Sequence, residues 1–221
     1  RLRIALAVDA PNGEAVHADC VAAARAVADR CVELGHEVVE DAPSVDADHF
    51  TGQFISAWAA GNAWTILDWE ERIGRSATRE DVEPLTWALV EMGRATTADQ
   101  YLMARQELQK ASRLVGDFME RYDVILTPTL GEPPVPLGTF DSPPDNPLHG
   151  IFRAASFVPF TPLFNVTGQP AISLPLHWND EGLPIGVQFA GRLGDEETLL
   201  SLAGQFEQAL PWADRLPSIH A

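Results

Sequence analysis

The sequence predicts an α/β fold in which helices layer against a mixed β-sheet. Three observations carry this. A strand–helix–strand pattern opens the chain, a long amphipathic helix leads into a buried strand, and two strand-like runs flank a turn near the end. Ile4 to Val8 is a short apolar run suited to a strand buried on both faces. From Val16 to Leu34 the pattern is helical: Cys20, Ala24, Val27, Cys31 and Leu34 recur at intervals of four and three, and Gly35 stands where glycine stops a helix. His36 to Glu40 reads as a second strand, parallel to the first across a right-handed connection. Asp46 to Gly74 predicts a helix broken near Gly61-Asn62, its Phe50, Phe54, Trp58, Trp64, Ile66 and Trp69 assigned to core. Thr97 to Gln100 fits a capping box, and Tyr101, Ala104, Leu108, Ala111, Val115, Phe118 and Tyr122 continue it as the longest helix.

Val124 to Thr127 forms another buried strand. Seven prolines between Pro128 and Gly150 mark a long loop, of the kind that tends to be functional or mobile. Ala171 to Leu176 is a strand whose Pro175 suggests its end or a sheet edge. Asn179 to Gly182 supplies turn chemistry, and Ile185 to Ala190 returns as the hairpin partner. Gly194-Asp195-Glu196-Glu197 caps a last helix carrying Leu199, Leu200, Ala203, Phe206 and Leu210. One α/β domain over residues 1–221 is expected, with a helical insertion at 46–95 and the Pro-rich loop at 128–150.

Composition narrows the function classes. The 221 residues hold 15 Lys+Arg against 32 Asp+Glu, a formal charge of −17, and the pI is near 4.5. Nucleic-acid backbones and anionic membrane surfaces both need a basic footprint, so neither is an expected partner. No run approaches the roughly 20 apolar residues of a membrane span, and the opening RLRIALAVD reads as too short and too soon acidic for a signal peptide, so a cytoplasmic location is the expectation. The chain opens on Arg1 and runs straight into a strand, so the expectation is that it is cut from something longer. Cys20 and Cys31 share one helix about 16 Å apart along its axis. A disulfide spans at most about 7 Å between Cα atoms, so both read as unpaired core residues.

No Gly-x-Gly-x-x-Gly, Walker lysine motif or Gly-x-Ser-x-Gly elbow is present. His17, His36, His49, His149, His177 and His220 stand apart, without His-Glu-x-x-His or Cys-x-x-Cys, so no metal and no cofactor is expected. Ser173 and His177 lie on or just after one strand, but nothing resembling a nucleophile elbow surrounds Ser173.

A family resemblance enters in the second half. Tyr122 to Thr129 (YDVILTPT), Phe160 to Pro175 (FTPLFNVTGQPAISLP) and Gly182 to Phe189 (GLPIGVQF) follow one another with the order and spacing of late motifs in the amidase signature family. Gly194-Asp195-Glu196 opens the family's last helix. The opening strand–helix–strand also resembles the stretch after that family's serine-rich signature, whereas Phe50 to Arg94 carries no recognisable motif. The tail, with the segment from Phe160 to Asn165, resembles most the branch containing the cyclic nylon-oligomer hydrolases and similar amidases. The resemblance implies hydrolysis of linear or cyclic carboxamides through a Ser–cis-Ser–Lys triad, without metal or cofactor. No Ser-Ser or Ser-Gly dipeptide occurs, and the sole lysine, Lys110, lies mid-helix, so no catalytic residue is carried over.

The expectation drawn is a C-terminal portion of an amidase that completes the sheet and walls the substrate pocket. It would be inactive alone and partnered by a missing N-terminal half, a small amide substrate and, when isolated, a second copy of itself. The alternative is a stand-alone noncatalytic ligand- or partner-binding module built on an amidase-like fold. By resemblance the pocket wall comprises Thr127, where a strand meets a loop, and Phe157, Thr161, Asn165 and Gln169 from the segment that precedes the next strand.

Overall fold

The structure, a computed structural model, describes residues 1–216; His220 lies outside them. In chain order the elements are β1 (Arg3–Leu6), α1 (Ala18–Glu33), β2 (Glu37–Glu40), α2 (Ala47–Ile73), α3 (Pro84–Ala95), α4 (Ala98–Met119), β3 (Val124–Pro128), α5 (His149–Phe157), α6 (Thr161–Thr167), β4 (Ala171–Trp178), β5 (Pro184–Gly191) and α7 (Glu196–Ala209). They fall into two compact units. The first holds Arg1–Pro43, Val115–Pro134 and the stretch from Val158 onward; the second holds Ser44–Leu114 and Val135–Phe157.

The first unit is built on one five-stranded sheet in the order β2-β1-β3-β5-β4. β1 runs parallel to β2 and β3, whereas β5 is antiparallel to both β3 and β4, so the sheet is mixed as expected. Alternation along the strands sends Ile4, Leu6, Val124, Leu126, Leu174, Val187 and Phe189 to one face, where they join Cys20, Ala24, Val27 and Cys31 of α1 and Leu199, Leu202 and Phe206 of α7. Phe189 and Phe206 are fully buried with ring centroids 5.4 Å apart. Burying such a side chain contributes about 1.5–3 kcal/mol, so this cluster is a main anchor of α1 and α7 on the sheet.

Local signals behave as the sequence reads. Gly35 follows α1 with φ 90°, and Gln100 Oε1 accepts from the Thr97 N–H at 3.0 Å, one limb of the capping box. Asp195 caps α7 by accepting from the Thr198 N–H, and Pro175 sits in β4, an edge strand whose register with β5 shifts between Leu174 and His177. Both cysteines are free and buried. Burial pushes the Cys20 thiol up to about 11 and the Cys31 thiol up to about 12.

Two expectations fail in the second unit. α2 runs unbroken for 27 residues through Gly61-Asn62. Asn62 Nδ2 donates to the Trp58 carbonyl and Thr65 Oγ1 to the Gly61 carbonyl, so the polar side chains bond back along the helix instead of interrupting it. The aromatics of α2 are not core: Trp58, Trp64 and Trp69 are 42%, 69% and 54% exposed. The buried contact runs instead through small residues, where Gly93 of α3 lies against the Ala59 carbonyl of α2. His49 of α2 reaches Glu107 of α4 at 3.3 Å. Helices α5 and α6 were not expected, being only 9 and 7 residues long, whereas α3 lies inside the helical insertion expected at 46–95.

Candidate functional site

The second face of the sheet is set by the residues that alternate with that cluster; it is buried along β3 and β5 and open at Ser173 on the edge strand β4. On β3 these are Ile125 and Thr127, and Thr129 extends the row one step further, its N–H donating to the Gly186 carbonyl at 3.1 Å. In register, Thr127 faces Gln188 on β5, and Gln188 faces Ser173 on β4. Three neighbouring strands therefore place Thr127, Gln188 and Ser173 side by side, with Thr129 just beyond Thr127.

Gln188 is buried, 5% exposed, and its Nε2 donates to Thr127 Oγ1 at 3.1 Å. Thr127, also buried, donates onward to the Pro128 carbonyl at 2.8 Å. Its hydroxyl is thus used on both sides. Thr129 Oγ1 and Ser173 Oγ lie 2.7 Å apart although β3 and β4 are not neighbours. They meet because residue 186, on the strand between them, is glycine. A Cβ there would stand 2.9 Å from Ser173 Oγ and 3.0 Å from Thr129 Oγ1. The missing side chain is the gap through which two outer strands touch.

The residues named from the resemblance are placed as follows. Thr127 lies in this row but is buried and fully bonded, so it orients Gln188. Thr161 opens α6 and Asn165 lies one turn on, exposed; neither makes a side-chain hydrogen bond among the described residues. Gln169 follows the C-cap Gly168, whose φ is 73°. Its Nε2 donates to the Gly191 carbonyl at 2.8 Å and its Oε1 accepts from Thr167 Oγ1 at 3.1 Å, so it straps the end of α6 to the end of β5. Phe157 belongs to the second unit, where its ring packs on Phe140 at 5.0 Å. The row of Ser173, Thr129 and Gln188 was missed. Its signal is polar side chains at alternate strand positions, legible only once the register is known.

Two other places were weighed on the same terms. A cleft of about 550 Å³ in the second unit is lined by Trp64, Leu67, Glu70 and Arg94. Its charges are spent on each other: Glu70 accepts from Arg94 at 3.0 Å and from the Ala77 N–H at 2.8 Å, the bond to Ala77 being the main reason its carboxyl is held below the usual range. Lys110 is half-exposed and pairs with Glu107 at 2.6 Å, a surface ion pair and not a base beside a nucleophile. At the other end of β3, Asp41 accepts from the Tyr122 hydroxyl at 2.8 Å and from Arg121 at 2.9 Å, which keeps its carboxyl low and ties β2 to the end of α4. Among the described residues no group of three or more His, Cys, Asp or Glu is placed to hold a metal, and no helix is long and apolar enough to cross a membrane.

The family model described as Amidase matches residues 1–200 of the chain. The chain belongs to the amidase family. It is 33% identical over 99% of its length to the 6-aminohexanoate-cyclic-dimer hydrolases of Pseudomonas sp. (strain NK87) and Paenarthrobacter ureafaciens, covering 46% of each. The solved structure of 6-aminohexanoate cyclic dimer hydrolase superposes with a TM-score of 0.90 at 32% identity, over 98% of this chain and 47% of that one. A bacterial aryl acylamidase, at 19% identity and a TM-score of 0.75, shares the fold. The chain spans about half the length of the curated relatives it matches.

These findings correct the reading of the chain as a C-terminal portion defined by what it lacks. The family match runs as one stretch from Arg1 to residue 200, through the residues 50–94 that seemed to carry no likeness, and the relatives align with nearly all of the rest. The α/β amidase fold with a mixed sheet is therefore a property of this whole chain. With that reading go the keyword of a fragment, the inactive segment, the noncatalytic module, the missing N-terminal half as partner and the self-association argued from its absence.

Proposed function

We propose that the protein is an amidase that hydrolyses the C–N bond of a small carboxamide, linear or cyclic. Water supplies the oxygen that joins the acyl carbon, the C–N bond breaks, and the departing nitrogen takes up a proton, leaving a carboxylic acid and an amine. The observation that carries this is the family match over residues 1–200. The likeness to hydrolases of a cyclic amide dimer of an aliphatic amino acid favours a substrate with a short methylene chain. Thr161 and Asn165 on α6 are the proposed contacts from the pocket wall, because their polar ends are unspent. Thr127 and Gln169 hold that wall in shape. A cytoplasmic location belongs to the same reading and is supported by two cysteines left as free thiols.

The test is turnover of hexanamide, ε-caprolactam and 4-nitroacetanilide by the purified protein, followed by amine release. Hydrolysis of at least one, with weaker binding in a Thr161→Val, Asn165→Ala variant, is expected. A folded protein that turns over none of them refutes the reading.

A further inference from the structure

We propose that Ser173, Thr129 and Gln188 form a recognition site for the amide group itself, an inference that rests on the carboxamide reading and names where the amide is held. Two hydroxyls 2.7 Å apart share one hydrogen bond, so one O–H proton is left over as a donor. Either hydroxyl can donate in that bond; when Thr129 donates, the spare O–H is that of the exposed Ser173. Beside it stands the Gln188 carboxamide, buried and oriented by Thr127, whose carbonyl oxygen accepts no hydrogen bond among the described residues. That oxygen is not among the fully buried, unpartnered side-chain atoms of the described residues, so it is an acceptor left open.

The site thus offers one donor and one acceptor on adjacent strands, about 5 Å apart at the Cβ level for directly opposed residues. A primary or secondary amide presents the complement: a carbonyl oxygen for the hydroxyl and an N–H for the Gln188 oxygen. An ester or a tertiary amide presents only the carbonyl. Gly186 completes the arrangement, since any side chain there would push the hydroxyls apart and cover the row. Ser173 and Thr129 are specificity-determining here, and Gln188 reads the N–H.

The experiment measures binding by NMR titration of the purified chain, following the Gln188 side-chain amide. The probes are hexanamide, N,N-dimethylhexanamide and methyl hexanoate. Hexanamide should bind about fivefold to tenfold more tightly than the two probes without an N–H, the usual worth of one neutral hydrogen bond. Ser173→Ala and Thr129→Val should each weaken hexanamide about fivefold while narrowing that preference, with circular dichroism melts unchanged. Equal binding of the three probes, no binding of hexanamide, or wild-type affinity in both variants overturns the proposal. Turnover separates the two readings. Selective binding without hydrolysis leaves the recognition site standing and sinks the amidase, whereas hydrolysis indifferent to both variants does the reverse.

Discussion

Gly93 is the position where a single methyl group should do most damage. It lies in α3 with its Cα turned onto α2, and a Cβ built there would overlap the Ala59 carbonyl and stand 2.8 Å from Ala63 Cβ. Ordinary contacts begin near 3.4 Å. Because the obstacle is helix backbone and not a movable side chain, restoring an ordinary contact from 2.0 Å would need the two helices to part by about 1.4 Å. Overpacking a well-filled core costs typically about 1–3 kcal/mol. A clash with the backbone of a neighbouring helix belongs at the upper end, so Gly93→Ala should lose about 3 kcal/mol. At about 2–4 °C per kcal/mol for a chain of this size, the midpoint should fall by roughly 6–12 °C. Gly61→Ala is the control. It sits inside α2 with nothing within 4 Å of a built Cβ, so the same substitution should stabilise by about 0.5–1 kcal/mol through backbone entropy alone. Four of the six tryptophans, Trp58, Trp64, Trp69 and Trp87, lie in the second unit, with Trp178 and Trp212 in the first, so tryptophan fluorescence during urea unfolding reports mainly on the second unit. Equal midpoints for the two variants would refute the close approach.

The thiols should be silent in the folded protein. With Cys20 near 11 and Cys31 near 12, almost no thiolate exists at pH 8, and both side chains are buried. A disulfide reagent should titrate none in buffer and two in guanidinium; rapid labelling of the native chain would contradict the packing of α1. Acid should destabilise along a definite path. Asp81, held by a bidentate Arg75 and by Thr78, lies far below the usual carboxylate range, and Asp41, Glu70, Glu91, Asp99 and Glu107 are also lowered. A lowered folded-state pKa means stability that is complete above the unfolded pKa and lost as pH falls through the folded one. The melting temperature should therefore hold from pH 7 to about 5 and decline below about 4. Asp81→Asn should shrink that decline, and an unchanged acid profile would show that the Arg75 pair contributes nothing.

Much of the first unit was legible because its signals are local. The three-and-four spacing of α1, the glycine after it and the Asp195 cap of α7 are each readable within a few residues. The second unit obeys a different rule. A helix contact made of Ala59 and Gly93 leaves no apolar stripe to detect, and the tryptophans that look like core are turned to solvent. α6 was read only as far as the turn at Gly168, whose left-handed backbone does follow from its being glycine. The polar row was hidden for a third reason. Thr129 and Ser173 are 44 residues apart and meet over a glycine from a third strand, so no window of sequence contains the site.

β4 is the outer rim of its sheet, and Pro175 interrupts it at the point where its register slips. A strand arriving from another molecule would find no amide proton at that residue and a kink beside it, with only short straight runs on either side. Such an edge is a poor template for growth by stacking, so fibril seeding along this border should fail even in concentrated solution.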